Sequence, residues 1–168
     1  MQYCLDTNVY VEAHRRYYAF DIAPGFWEGL IRLAEEQIIC SPSLVYKEIM
    51  DADYDDDLTK WAKANRDLLF EEADEPTQDA YTEVADLVER LYEPQHVQKF
   101  LSGADPWVVA YAKSHRLTVV TMESLKNEQK NRNGKIDGKI HIPNVCKLVS
   151  IEYRDTFALL REQKIVLR

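Results

Sequence analysis

Apolar residues recur along the chain in short blocks that polar turns separate. Strand patterns, in which apolar and β-branched residues follow one another, occupy residues 2–6, 38–40, 118–121 and 145–149. Helical spacing predicts helices over residues 9–17, 26–36, 55–66, 76–92, 104–115 and 154–162. Ser41 and Pro42 predict the start of a further helix, as its N-cap and first helical residue. Strands that alternate with helices predict an α/β fold with a central parallel sheet of four to five strands.

Composition sets the broad class of the protein. The length of 168 residues favours one domain over residues 1–168, and the apolar content of 46% is sufficient for a core. No apolar run approaches the roughly 20 residues that span a bilayer, and the first residues lack the pattern of a signal peptide. Three widely separated cysteines predict buried thiols in a reducing compartment. We therefore expect a cytoplasmic protein with no membrane association.

Four acidic residues carry the candidate chemistry. Asp6 ends the first predicted strand, Asp105 begins a helix after a glycine break, and Glu123 follows the strand at 118–121. Glu48 lies inside its helix. Functional groups gather at the carboxyl ends of parallel strands, so this topology can bring the four together. Adjacent carboxylates repel one another, and Mg²⁺ or Mn²⁺ would relieve that repulsion and activate a bound water.

Each of these residues also has a structural interpretation. Asp6 and Asp105 could cap the helices that follow them, and Glu48 could be an ordinary exposed helix residue. Asn8 is expected to orient Asp6 through its side-chain amide. The hydroxyls of Thr7 and Thr121 are expected near the same site, although capping or β-propensity would also explain those residues.

Basic residues are few in a chain of net charge −8, which argues against a general nucleic-acid coat but not against a nuclease. A site that binds RNA could use the cations after the first strand or those in the segment 126–139. That segment holds five basic residues against two acidic ones and is rich in Asn and Gly, so a solvated hairpin is an equal alternative. The candidate RNA-binding residues are His14, Arg15, Arg16, Lys130, Arg132 and Lys135.

The acidic run at residues 51–57 superficially suggests a calcium loop. An EF-hand loop that starts at Asp51 needs Gly at position 56 and Glu at position 62, and the chain has Asp56 and Ala62 there. We therefore predict a solvated junction between two helices, with residues 55–57 favouring the start of the second helix.

Several strings resemble a known family. Cys4-Leu5-Asp6-Thr7-Asn8-Val9 resembles the opening signature of PIN domains, residues 103–112 resemble their central acidic helix start, and residues 118–123 resemble their later strand and trailing acid. Residues 14–18, 20–27, 100–107 and 142–146 are similar to a bacterial, VapC-type branch of PIN-like proteins. The order of these strings matches the family over nearly the whole chain.

The resemblance to PIN domains implies a three-layer α/β/α sandwich with metal-dependent ribonuclease activity. It also implies Asp6, Glu48, Asp105 and Glu123 as metal ligands, with Glu123 standing where most PIN domains have Asp. The expected role is the toxin of a toxin–antitoxin pair, with RNA as substrate, a cognate antitoxin as partner and a homodimer as the assembly.

Other functions remain to be weighed against this one. A degenerate PIN-like module could bind RNA or a protein partner without cleaving anything, and the glutamate at the fourth position keeps that alternative open. A phosphatase of the haloacid-dehalogenase type would need a second Asp where the chain has Asn8. A nucleotide-binding enzyme of the Rossmann or P-loop type would need a glycine-rich loop that the sequence lacks.

Overall fold

Five strands form one parallel sheet in the computed structural model, which describes residues 1–52 and 56–168. The strand order is β3-β2-β1-β4-β5, and every neighbouring pair is parallel. The predicted α/β fold with a central parallel sheet is therefore confirmed. The strands are β1 (Tyr3–Leu5), β2 (Ile39–Pro42), β3 (Phe70–Glu71), β4 (Thr118–Val120) and β5 (Tyr153–Arg154).

Helices flank this sheet and connect its strands. A π-helical turn, Ala13–Tyr17, continues the first helix. None of the helices in the described ranges has both the length and the apolar character that crossing a membrane requires. The helices are α1 (Thr7–Glu12), α2 (Pro24–Glu35), α3 (Ser43–Asp51), α4 (Asp57–Ala64), α5 (Arg66–Leu69), α6 (Glu75–Leu91), α7 (Pro94–Leu101), α8 (Asp105–His115), α9 (Ile142–Leu148) and α10 (Thr156–Glu162).

The central strand β1 is buried along its whole length, which explains its uninterrupted run of apolar residues. Cys4 of β1 lies opposite Cys40 of β2 on one side and Val119 of β4 on the other. The cysteines of the chain, including Cys146, are buried free thiols, as expected. Because β1 is the middle strand, the residue after it, Asp6, emerges at the centre of the carboxyl edge of the sheet.

The strand predicted over residues 145–149 is wrong. These residues belong largely to α9, which begins with Pro143 in its first turn and buries Val145 and Cys146. A short apolar run cannot distinguish a buried strand from a buried helix by periodicity alone. The fifth strand comes later, at Tyr153–Arg154.

The helix start predicted at Ser41 and Pro42 is also wrong, since both residues belong to β2 and α3 begins at Ser43. The Ser41 hydroxyl is buried and donates to the Leu5 carbonyl oxygen at 2.7 Å, so it joins two strands instead of capping a helix. Strand β3 and helix α7 were not predicted.

The helix predicted over residues 55–66 is observed as α4 and the start of α5. Asp56 caps α4 by accepting a hydrogen bond from the Thr59 backbone N–H at 2.9 Å. Residues 53–55 of the acidic run, and the part of the predicted junction that they form, lie outside the described residues.

Gly25 allows the last residues of the chain to pack closely against α2. Its backbone N–H donates to the Arg168 carbonyl oxygen at 2.8 Å. A Cβ atom at Gly25 would clash with the Val166 carbonyl oxygen and lie 2.7 Å from the Arg168 nitrogen. The obstacle to a side chain is backbone, which cannot rotate away.

We expect Gly25→Ala to lower the free energy of unfolding by about 1–3 kcal/mol, the usual cost of overpacking. Alanine is the better helix former by roughly 1 kcal/mol, so a net loss would show that the clash dominates. Urea denaturation measures the effect. Gly138→Ala is the matched control, because no atom lies within 4 Å of a Cβ there; equal stability of the two variants would contradict the close approach.

Candidate functional site

A cavity of about 530 Å³ opens at the carboxyl edge of the sheet, and all four predicted acidic residues line it. Asp6 follows β1 directly, and Glu123 follows β4 after two further residues. Glu48 reaches the cavity from α3, while Asp105 is the first residue of α8. The structure therefore brings together four carboxylates from distant parts of the sequence. We call these four residues the carboxylate cluster.

Asp6 is only 2% exposed, and a polar network around Thr121 orients its carboxylate. The Thr121 hydroxyl donates to Asp6 Oδ2 at 2.9 Å. The same hydroxyl oxygen accepts from the Asn8 amide at 3.1 Å and from the Glu123 backbone N–H at 3.1 Å. Asn8 Oδ1 in turn accepts from the Met122 backbone N–H at 2.8 Å. Asn8 and Thr121 thus tie the segment after β4 to the segment after β1.

Glu48 joins two helix starts. Its Oε2 accepts from the Thr7 hydroxyl at 2.5 Å, and its Oε1 accepts from the Ala104 backbone N–H at 2.7 Å. A Cβ at Gly103 would lie 3.0 Å from Glu48 Oε1, so the small residue leaves room for this carboxylate. The contacts fix the position of Glu48 relative to both α1 and α8.

Glu123 is paired with a lysine that was not predicted as a site residue. Lys139 Nζ lies 2.5 Å from Glu123 Oε1, and the Ile142 backbone N–H donates to Oε2 at 2.8 Å. His141 Nδ1 lies 3.6 Å from the same Oε1, but burial lowers the pKa of this imidazole, which favours its neutral form. Lys139 is therefore the cation paired with Glu123.

The Asp105 carboxylate accepts no hydrogen bond from any residue that the structure describes. Burial, with the charges of Glu123 and Glu48, raises its pKa to about 7 against the opposing charge of Lys139. Burial also raises the pKa of Asp6 well above its ordinary value, and the charge of Asp105 adds to that effect. Burial and mutual repulsion therefore both disfavour the ionised forms of these two aspartates.

Capping does not explain the two aspartates. Asp6 occupies the N-cap position of α1 without a side-chain capping hydrogen bond, and the N-cap of α8 is Ala104, not Asp105. Helix starts therefore place these residues, but neither carboxylate caps its helix.

The oxygen-only donor set fits a hard divalent cation. Asp105 is free to bind one, and a cation would relieve the repulsion that raises the two aspartate pKa values. Within the described residues, however, no group of three or more acidic, histidine or cysteine side chains stands close enough to hold a metal ion as arranged. Glu48 and Glu123 are held by N–H and hydroxyl donors, so binding would require them to rotate inward.

Of the six predicted RNA-binding residues, Arg16 alone lines this cavity, where it pairs with Glu12 at 3.3 Å. His14 lies 3.5 Å from Asp56 and is turned toward α4. The Lys135 ammonium donates a hydrogen bond to the Glu89 carbonyl oxygen. Arg15, Lys130 and Arg132 are not among the residues that line the cavity.

Sequence reasoning missed Lys139, Glu12 and Tyr17 as cavity residues. The only signal for Lys139 was its place at the end of the basic segment, because the segment 126–139 returns to the cluster 16 residues after Glu123. Two hydrogen bonds between Asn144 and the backbone of Lys126 help to close that segment.

Comparison with known proteins supports the fold. A family model described as "Domain of unknown function (DUF4411)" matches residues 3–167. The chain is similar to the crystal structure of VapBC2 from Rickettsia felis bound to a DNA fragment from their promoter, with a TM-score of 0.55 and 15% sequence identity. The match covers 92% of this chain and 98% of that one, and it supports the predicted PIN-like fold. No curated protein sequence matches the chain.

The raised pKa of Asp105 gives a pH-dependent stability. The folded metal-free protein keeps this proton up to about pH 7, whereas the ordinary value is 3.8. The stability that the folded protein gains from this retained proton is therefore complete below pH 4 and is lost as the pH rises to 7. The free energy of unfolding of Asp105→Asn should equal that of the wild type at pH 4. At pH 8 in EDTA it should exceed the wild-type value by about 1–2 kcal/mol, after allowance for solvent screening. Denaturation at a series of pH values measures the difference.

Asp67→Asn is the control for this prediction, because the Asp67 side chain is 96% exposed. Parallel pH profiles for the two variants would show that the cluster does not destabilise the metal-free fold.

Proposed function

The chain belongs to the family described as "Domain of unknown function (DUF4411)", and we propose that it acts as a metal-dependent ribonuclease. The observation that carries this proposal is the convergence of four carboxylates on one cavity, where the Asp105 carboxylate accepts no hydrogen bond from any described residue. The PIN-like fold supports it, because the cluster lies at the carboxyl edge of the parallel sheet, where such folds place functional groups.

Asp6 and Asp105 would hold Mg²⁺ or Mn²⁺, with Glu48 and Glu123 completing the site. A divalent cation bound there would supply charge that activates water and offsets the negative charge of a phosphodiester. Thr121 fixes the Asp6 carboxylate, and Asn8 fixes Thr121, so this one ligand is positioned before the cation arrives. Lys139 adds a positive charge at the rim of the cavity, where it can meet a phosphate oxygen.

The toxin of a toxin–antitoxin pair is the biological role that we propose. Its support is the fold likeness to VapBC2, a toxin–antitoxin complex that in that crystal is bound to promoter DNA. A cognate antitoxin, a homodimeric assembly, an RNA substrate and a cytoplasmic setting belong to the same proposal.

A non-cleaving PIN-like module is the second candidate, and one observation favours it. Glu48 and Glu123 are held by hydrogen bonds, and Glu123 is paired with Lys139 instead of facing Asp105 as a free ligand. A protein that binds RNA without cleaving it would tolerate that arrangement.

Purified protein should cleave single-stranded RNA in Mg²⁺ or Mn²⁺, and EDTA should abolish the cleavage. Asp6→Asn and Asp105→Asn should each reduce the rate by about a hundredfold or more, because several kcal/mol of charge stabilisation depend on the cation. Gel-based cleavage of several RNAs measures this, with Asp67→Asn as a fully active control. Cleavage that survives complete chelation would rule out the metal mechanism, and RNA binding without cleavage would favour the second candidate.

Lys139 and a metal ion should compete for Glu123. We expect Lys139→Met to bind Mn²⁺ about fivefold more tightly, which corresponds to the ~1 kcal/mol of a partly exposed ion pair. Isothermal titration measures this without RNA. Lys113→Met is the matched control, because the Lys113 ammonium pairs with Glu83, which does not line the cavity. Unchanged or weaker Mn²⁺ binding by Lys139→Met would mean that the ammonium does not occupy the place of the cation.

A further inference from the structure

A second cavity, of about 310 Å³, adjoins the carboxylate cluster. Helix α7 contributes His96, Lys99 and Phe100 to its lining. The two cavities share Glu48, Asp105 and Lys139, so they meet at the cluster itself. A chain molecule lying through both would pass directly over Asp105. We call the second cavity the α7 groove.

Two lysines, Lys99 and Lys139, line the α7 groove of a protein that is acidic overall. The chain has a net charge of −8, yet Lys99 is exposed and makes no ion pair within the described residues. His96 Nε2 lies 2.7 Å from Asp137 Oδ1, and this contact fixes the ring at the groove. A free ammonium beside a negatively charged cluster suits a ligand that is itself anionic and must approach that cluster.

The rest of the groove suits an uncharged group. Phe100 is 5% exposed and contributes an apolar wall, while Gly103 adds no side chain near Glu48. A nucleotide presents both surfaces: a phosphate for the lysines, and a sugar and base for the apolar part.

We infer that the α7 groove binds the nucleotide next to the scissile phosphate of a single-stranded RNA, with Lys99 contacting the phosphate of that nucleotide. This inference rests on the proposed ribonuclease function, since the cluster defines which phosphate is cut. Lys99 is a positioning residue in this arrangement: it touches the substrate one nucleotide away from the reacting bond.

The test measures RNA binding separately from cleavage. Fluorescence anisotropy of a labelled single-stranded oligoribonucleotide is followed against salt in Mg²⁺, in the Asp6→Asn background. Asp6 lines the first cavity but not the α7 groove, so this background leaves the groove intact. Lys99→Ser should raise the Kd about three- to tenfold and reduce the slope of log K against log salt by ~0.7, the value for one phosphate on a single strand. Lys99→Arg should restore both.

Lys63→Ser is the matched control. Lys63 is another exposed lysine without an ion pair among the described residues, and it lines neither cavity. Its substitution should leave the Kd and the slope unchanged. Equal behaviour of the Lys99→Ser and Lys63→Ser variants would overturn the inference, whether both weaken binding or neither does.

Failure of the ribonuclease proposal gives a different result. If the wild type does not cleave RNA but Lys99→Ser still weakens binding with the reduced slope, the groove is an RNA site on a non-cleaving module. If neither the wild type nor the Asp6→Asn variant binds single-stranded RNA, both proposals are overturned.

Discussion

Burial of the Asp6 carboxylate is the constraint on which the surrounding structure depends. An ionised group at 2% exposure is costly unless donors or a cation compensate it. The fold supplies the Thr121 hydroxyl as a donor and holds that hydroxyl through Asn8. It also places three more carboxylates around the same cavity, which increases the electrostatic cost instead of reducing it. Such an arrangement suits the metal-dependent chemistry that we propose, whereas stability alone would favour apolar residues here.

Lys139 compensates part of the negative charge of the carboxylate cluster. Its ammonium pairs with Glu123 and acts on Asp105 and Asp6 through its charge. Burial, with the charges of Glu123 and Glu48, still holds the pKa of Asp105 at about 7 despite the opposing charge of Lys139. The negative charge of the cluster is therefore only partly compensated in the metal-free protein. A divalent cation would complete the compensation beside Asp105, whose carboxylate accepts no hydrogen bond within the described structure.

The sequence predicted the parallel sheet and the residues of the carboxylate cluster. Asp6 and Asp105 had local signatures, a strand end and a helix start, and the resemblance to PIN domains implied all four acids together. The sequence could not predict the environment of each carboxylate. An exposed helix residue was the alternative for Glu48, and only the folded structure shows that its carboxylate accepts from the Ala104 backbone. Lys139 was equally hidden, since its role depends on how the segment 126–139 returns to the cluster. The error at residues 145–149 has a similar origin: burial made a helix resemble a strand.

The buried thiols at the centre of the sheet have a consequence for following motions of the fold. Cys4 and Cys40 lie side by side on β1 and β2, and burial raises the pKa of Cys4 well above its ordinary value. Burial likewise raises the pKa of Cys146 to about 12. Only an accessible thiolate reacts rapidly with an alkylating reagent. The labelling rate of Cys4 and Cys40 therefore reports how often the native sheet opens beneath the carboxylate cluster, and that of Cys146 reports the opening of α9, without any introduced cysteine.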